Sequence, residues 1–173
     1  MDAASNTAVA AGTAPIDPLV LRQVCGRFLT GVAIVTSSLD DAPVGVTINS
    51  FTSVSLTPPL VLFCIHHGSA LVPALDDCDY FAINVLAADQ SSLAGRFARR
   101  STASFAALRT WRATTGAVLL SDAIAYLECR VAARHDGGDH LIVIGEVIDL
   151  GVLRDTHPLA FFRSGHPRFE VSP

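Results

Sequence analysis

The run Gly45-Val46-Thr47-Ile48-Asn49-Ser50-Phe51-Thr52-Ser53-Val54-Ser55 concentrates small polar side chains that could serve a ligand. On an extended chain, Thr47, Asn49, Phe51 and Ser53 share one face, and Val46, Ile48, Ser50, Thr52 and Val54 share the other. Hydroxyls and a carboxamide in a row can exchange hydrogen bonds with a planar heterocycle rich in donors and acceptors, such as a flavin ring or its ribityl chain. The same pattern also describes a half-exposed strand with no ligand. A second candidate is Gly138-Asp139-His140, where a histidine at a strand start beside a glycine turn can point into a cleft or merely close the turn. Arg96, on a short helix, could pair with a phosphate or lie on the helix surface. Phe161, Phe162 and Phe169 could be core, or could stack on a nicotinamide or adenine ring.

Other chemistries are excluded by what is missing. No G-x-G-x-x-G follows a strand, and there is no Walker loop, H-E-x-x-H or G-x-S-x-G. His66 and His67 are adjacent, so on a strand they face opposite ways and cannot chelate one ion together; no metal site is expected. Cys25, Cys64, Cys78 and Cys129 form no C-x-x-C and read as free thiols of a cytoplasmic protein. The net charge is −4, all 12 basic residues are Arg, and no basic run appears, so nucleic acid is not expected as a partner. The longest apolar stretch, Leu60 to Ile65, is too short to span a bilayer, and the first 21 residues lack the basic start of a secretory signal.

The elements that must position these residues follow from periodicity. The chain has 173 residues, half of them hydrophobic, with a mean hydropathy of +0.45. That is one domain, with more apolar surface than a small monomer hides easily. Residues 1–16 read as a disordered tail and 17–173 as the domain. Asp17-Pro18 starts a helix carrying Leu21, Val24, Cys25, Phe28 and Leu29 on one side, and Gly31 stops it. Val32 to Ser37 and Val44 to Thr52 form a hairpin around Asp40-Asp41. Pro58-Pro59 breaks the chain before Leu60 to His66, a continuously apolar strand expected to be buried on both faces. A short helix follows over Ser69 to Leu75, a strand over Tyr80 to Leu86 and a helix over Asp89 to Arg99. Residues 100–116 read as an irregular excursion. Strands Ala125 to Ala133 and Leu141 to Leu150 flank the turn Asp136-Gly137-Gly138-Asp139, and a last strand runs near Phe161 to Val171. Hairpins dominate and strands do not alternate with helices, which predicts a mainly β fold, an antiparallel barrel with helical insertions.

Taken in order, these pieces resemble the short-chain flavin reductases, the reductase components of two-component flavin-dependent monooxygenases. The matching segments are Phe28 to Thr36, Pro43 to Phe51, Ser53 to Val61, Ile83 to Leu86, Gln90, Phe97-Ala98, Leu127 to Cys129, and Gly138-Asp139-His140 through Gly145-Glu146-Val147. The resemblance implies a flavin-binding split β-barrel that works as a homodimer. It also implies FAD or FMN in a groove, with NADH, or alternatively NADPH, stacked on the ring. Carried over by position, Thr47, Asn49 and Ser50 contact the ring or ribityl chain. Ser55, Ser69 and the backbone of Cys64, Ile65 and His66 hold ribityl and phosphate groups. Arg96 and Phe97 border the phosphate or ring. His140 sits beside flavin and nicotinamide as the catalytic residue, and His166 or Phe169 covers the nicotinamide. NADH is favoured over NADPH because no Arg pair for a 2′-phosphate is evident. Reduced flavin would leave by diffusion for a separate oxygenase. The competing expectations are a non-catalytic flavin- or haem-binding barrel and a pyridoxamine-phosphate-oxidase-like enzyme. The latter needs clustered basic residues that this Lys-free chain lacks.

Overall fold

The computed structural model describes residues 15–99 and 105–167. The expected tail therefore lies outside the described residues except for Pro15 and Ile16, which are exposed. So does Phe169.

Helix α1 (Pro18–Cys25) starts as its sequence predicts, with Oδ1 of Asp17 accepting from the Leu19 amide at 2.8 Å and Pro18 at the first helical position. It ends five residues earlier than expected. Gly26, not Gly31, is the cap, and its N–H donates to the carbonyl of Arg22 while its carbonyl accepts from Arg163. Phe28 and Leu29 thus leave the helix and are exposed. No residue of α1 is buried in the single chain.

Seven strands form one antiparallel sheet in the order β3-β2-β6-β9-β10-β5-β4. They are β2 (Ala33–Leu39), β3 (Ala42–Ile48), β4 (Thr52–Leu56), β5 (Pro59–His66), β6 (Tyr80–Val85), β9 (Ala125–Gly137) and β10 (His140–Val152). The β2–β3 turn places Asp40 and Asp41 at φ 49° and 61°, the left-handed pair that suits a two-residue hairpin. The β9–β10 turn uses Gly138 at φ 83°. One core contains Val44 and Ile48 of β3 together with Val61, Phe63 and Ile65 of β5, so the sheet wraps until its opposite ends share an interior. Helix α2 (Leu71–Asp77) plugs that interior with Leu71, Ala74 and Leu75. The edge strands β3 and β4 do not pair with each other among the described residues, which leaves the sheet split.

The polar run is not one strand. It breaks at Asn49–Phe51, where the chain crosses from one edge of the sheet to the other. Ser50 bridges the crossing. Its hydroxyl donates to the carbonyl of Cys64 at 3.0 Å and accepts from the Cys64 amide at 2.9 Å, replacing a ladder partner that β5 lacks. Strand β5 also departs from expectation. Val61, Phe63 and Ile65 are buried, whereas Leu60, Leu62 and Cys64 on the opposite face are only half-buried in the single chain.

A second layer sits outside the sheet. Helix α3 (Ser91–Phe97) packs Ala94 and Phe97 against Val32 and Ile34, and Phe97 lies so close to Gly45 that a Cβ there would collide with its ring. Strand β7 (Thr110–Arg112) pairs with β8 (Val118–Leu120) in a short hairpin, so the 100–116 excursion is not wholly irregular. Residues 100–104 of it lie outside the described residues. Of the last expected strand, near Phe161 to Val171, the described residues show β11 (Ala160–Phe161), paired with β1 (Thr30–Gly31), and residues 168–171 lie outside them.

Candidate active site

The split in the sheet opens a cavity of about 500 Å³. That volume is within the range of small-molecule sites. Strand β3 and the crossing supply Val44 to Ser50, the end of β5 supplies Cys64 to His66, and the turn before α2 supplies Gly68 to Ala70. Asp139 and His140 come from the β9–β10 hairpin. Of the residues singled out by sequence, Thr47, Asn49, Ser50, Cys64, Ile65, His66, Ser69 and His140 meet here. Because the chain turns at Asn49, Thr47, Asn49 and Ser50 all line the cavity, although simple alternation put Ser50 on the other face.

Their hydrogen bonds sort them into roles. The Thr47 hydroxyl donates to the carbonyl of Ala94 at 2.8 Å, so its lone pairs remain for a ligand donor. The Ser50 hydroxyl is engaged by Cys64 as donor and acceptor. Asn49 is exposed at the cavity, and its carboxamide makes no bond to another described residue. Ile65 is a core side chain, 2% exposed, and offers the cavity its backbone. The Ser69 hydroxyl accepts from the Leu71 amide at 3.2 Å. Burial pushes the Cys64 thiol above its ordinary range, so it stays neutral and acts as an apolar wall.

Three expected residues are not brought to the cavity. Ser55 accepts from the Thr57 amide in the turn leaving β4. Phe97 is 1% exposed and stacks edge-on against Phe105 at 5.0 Å, so it shapes the wall from behind Gly45. Arg96 donates to the carbonyl of Ala106 at 3.1 Å, tying α3 to the excursion. His166 lies near Phe161, centroids 5.6 Å apart, and lines a smaller neighbouring hollow with Thr47 and Asn49. Sequence reasoning missed Arg22 of α1 and Arg99, which follows α3; both line the main cavity. An Arg pair therefore does exist there, assembled from residues 77 positions apart in the numbering, beyond the reach of any local motif.

The histidine end of the cavity is bonded in detail. His140 is half-exposed, and its Nδ1 lies 2.6 Å from Oδ1 of Asp139. The hydrogen bond from His140, then its charge, holds the Asp139 carboxyl below the usual carboxylate range. His66 lies directly across the ladder from His140. His67 faces away and approaches Asp136 at 3.1 Å. No cluster of three potential metal ligands occurs among the described residues.

A flavin fits this donor set on its chemistry: an unengaged carboxamide, free hydroxyl lone pairs and apolar walls for a ring, with two arginines for an anionic tail. The comparisons agree. The sequence profile of the flavin reductase-like domain matches residues 25–170. The chain superposes on the Streptomyces globisporus NADH:FAD oxidoreductase SgcE6, solved in complex with NAD and FAD fragments. The TM-score is 0.84 at 38% identity, covering 91% of this chain and 98% of the other. The chain belongs to the flavin reductase-like family. Within it, the chain is 39% identical over 155 residues to HsaB of Rhodococcus jostii, the reductase subunit of a flavin-dependent monooxygenase, covering 90% of this chain and 80% of HsaB. It is 43% identical over 148 residues to the FMN reductase (NADH) SmoA of Agrobacterium fabrum, covering 86% and 84%.

Proposed function

We propose that the protein is an NADH:flavin oxidoreductase that reduces FMN or FAD and releases the reduced flavin to a separate monooxygenase. The observation that carries this is the convergence of Thr47, Asn49, Ser50, His66 and His140 on one cavity, in a chain of this family. A flavin bound there supplies a two-electron acceptor for the hydride of a dihydronicotinamide. The protein's part is positional. Asn49 and Thr47 orient the ring edge, Cys64 and Val46 wall it, and Arg22 and Arg99 meet the phosphate end. His140, held by Asp139, stands at the mouth where the nicotinamide arrives. Aligning two rings needs no nucleophile, and an anionic product is favoured by nearby donors. The names of SmoA and SgcE6 support NADH as donor, which the arginine pair alone would not. Those names also favour catalysis over the binding-protein reading.

The working unit in this reading is a homodimer. Leu19, Val20, Leu21 and Val24 of α1, with Phe28, Leu56, Leu150 and Val152, are exposed in the single chain, and a second copy is the simplest cover for them. Four free cysteines support a cytoplasmic location. None of the described helices is long and apolar enough to cross a membrane.

The test is NADH oxidation in air with FAD, FMN or no added flavin. Turnover that requires and saturates with added flavin is the expected result and identifies the preferred flavin. Flavin binding without turnover, with NADH or NADPH, would overturn the reading. Sedimentation of the full chain tests the dimer, and a monomer at all concentrations would sink it.

A further inference from the structure

Strand β3 meets helix α3 at two points, and both bear on where Arg99 stands. The first is Gly45. A Cβ there would lie 2.9 Å and 3.0 Å from Cε1 and Cδ1 of Phe97, and 3.1 Å from Cζ of Phe105. The strand admits the helix at this distance only because position 45 carries no side chain. The second is Thr47, whose hydroxyl donates to the carbonyl of Ala94 at 2.8 Å. That carbonyl also accepts from the Ala98 amide at 3.0 Å, the bond that closes the last turn of α3. Arg99 follows directly, and Ala98 and Arg99 both line the main cavity.

The Phe97 ring has no room to retreat. It is 1% exposed, clustered with Val32, Ile34 and Leu86, and set edge-on to Phe105 at 5.0 Å. Close-packed interiors transmit strain, so a methyl pressed against this ring displaces the end of α3. Phe97 stands two residues before Arg99, so the displacement reaches the cavity. Arg22 comes from α1 and is not carried by this contact.

We infer that Gly45 is a positioning residue that seats α3 so that Arg99 reaches the flavin phosphate, and that it thereby sets a preference for FMN over riboflavin. This rests on the reading of Arg99 as a phosphate partner. FMN and riboflavin share the ring and the ribityl chain, so only the phosphate contact separates them. The Cβ direction of Gly45 runs toward Phe97, which makes its effect on ligand indirect.

The test titrates the full chain with FMN and with riboflavin, followed by flavin fluorescence and without nucleotide. Gly45→Ala should weaken FMN binding about tenfold, the scale of one charge-assisted hydrogen bond, and riboflavin binding less than about twofold. Phe97→Leu loosens the same seat from the other side and should weaken FMN about threefold, again sparing riboflavin. The double variant Gly45→Ala/Phe97→Leu should regain most of the FMN affinity, because the methyl takes space the ring has left. Arg99→Gln should match Gly45→Ala, and adding Gly45→Ala to it should cost nothing more. Equal losses for both flavins in Gly45→Ala would make this glycine part of the ring wall and overturn the inference. Unchanged FMN binding in a folded Gly45→Ala, beside a loss in Arg99→Gln, would overturn it too. If Gly45→Ala does not fold, Phe97→Leu and the double variant decide: no FMN-specific loss in the first, or no recovery in the second, overturns it. Wild-type binding of both flavins by Arg99→Gln would overturn the phosphate role given to Arg99 itself.

Discussion

Two regions of the sheet carry polar side chains on its strands, and they use them in opposite ways. Under the β7–β8 hairpin, Thr36, Asn84 and Glu128 are buried. Asn84 donates to the Ile34 carbonyl and the Thr36 hydroxyl, both at 3.1 Å, and accepts from the Leu120 amide at 2.8 Å. Thr36 donates to the Val118 carbonyl, and Glu128 accepts from the amide and hydroxyl of Thr115. These side chains dock the hairpin. Around the cavity, Asn49 and the Nε2 atoms of His66 and His140 have no such partner among the described residues. A polar residue in a strand is therefore no sign of function by itself. What separates Asn84 from Asn49 is that the protein satisfies the hydrogen bonds of the first internally and leaves the second open, while Oε2 of the buried Glu128 has no partner among the described residues.

The contrast can be broken at four places, in descending order of effect. Asn84→Ala should be the most costly, about 3 kcal/mol of stability, because it leaves the buried Leu120 amide without its acceptor and removes the side-chain bonds to Ile34 and Thr36. Urea unfolding checks it, and a loss below about 1 kcal/mol would erase the contrast. His140→Ala should slow single-turnover flavin reduction by about a hundredfold, the scale of a lost alignment between two reacting rings. Flavin affinity should change less than about threefold, and unchanged reduction would remove the role given to His140. Ser50→Ala straddles both regions. It should cost about 1–2 kcal/mol by unpairing Cys64 and should weaken flavin binding by a few-fold, since the wall it pins moves. Fluorescence titration beside urea unfolding separates the two effects. The smallest effect is electrostatic. The Asp139 carboxyl titrates below its unfolded value, so its stabilising contribution is present above that value and is lost as pH falls through the lower folded one. Because Asp139 is exposed, the readout is an NMR titration of its carboxyl, which should move back up in His140→Ala.

The same division explains what could be read early. The β2–β3 and β9–β10 hairpins were legible because Asp40-Asp41 and Gly138 impose turn conformations locally. Thr47, Asn49 and His140 were legible as a group through an ordered set of family motifs. Phe97 was misplaced because its type and helical spacing suit a site wall as well as a core, and only its packing against Gly45 and Phe105 decides. Ser50 lines the cavity as expected, but its bonds to Cys64 were not legible, because nothing in its neighbours foretells that the chain leaves β3 there.

The sequence by itself determined the hairpins, the helix start at Asp17-Pro18, the mainly β architecture and the family, because these rest on short-range conformational preferences and ordered motifs. Only the tertiary structure decided which polar groups are spent and which are left open. It brought Arg22 and Arg99 to one cavity and set His66 across from His140. Hydrogen-bond saturation depends on partners distant in the chain, and their identity is settled when the sheet wraps and its ends share one core.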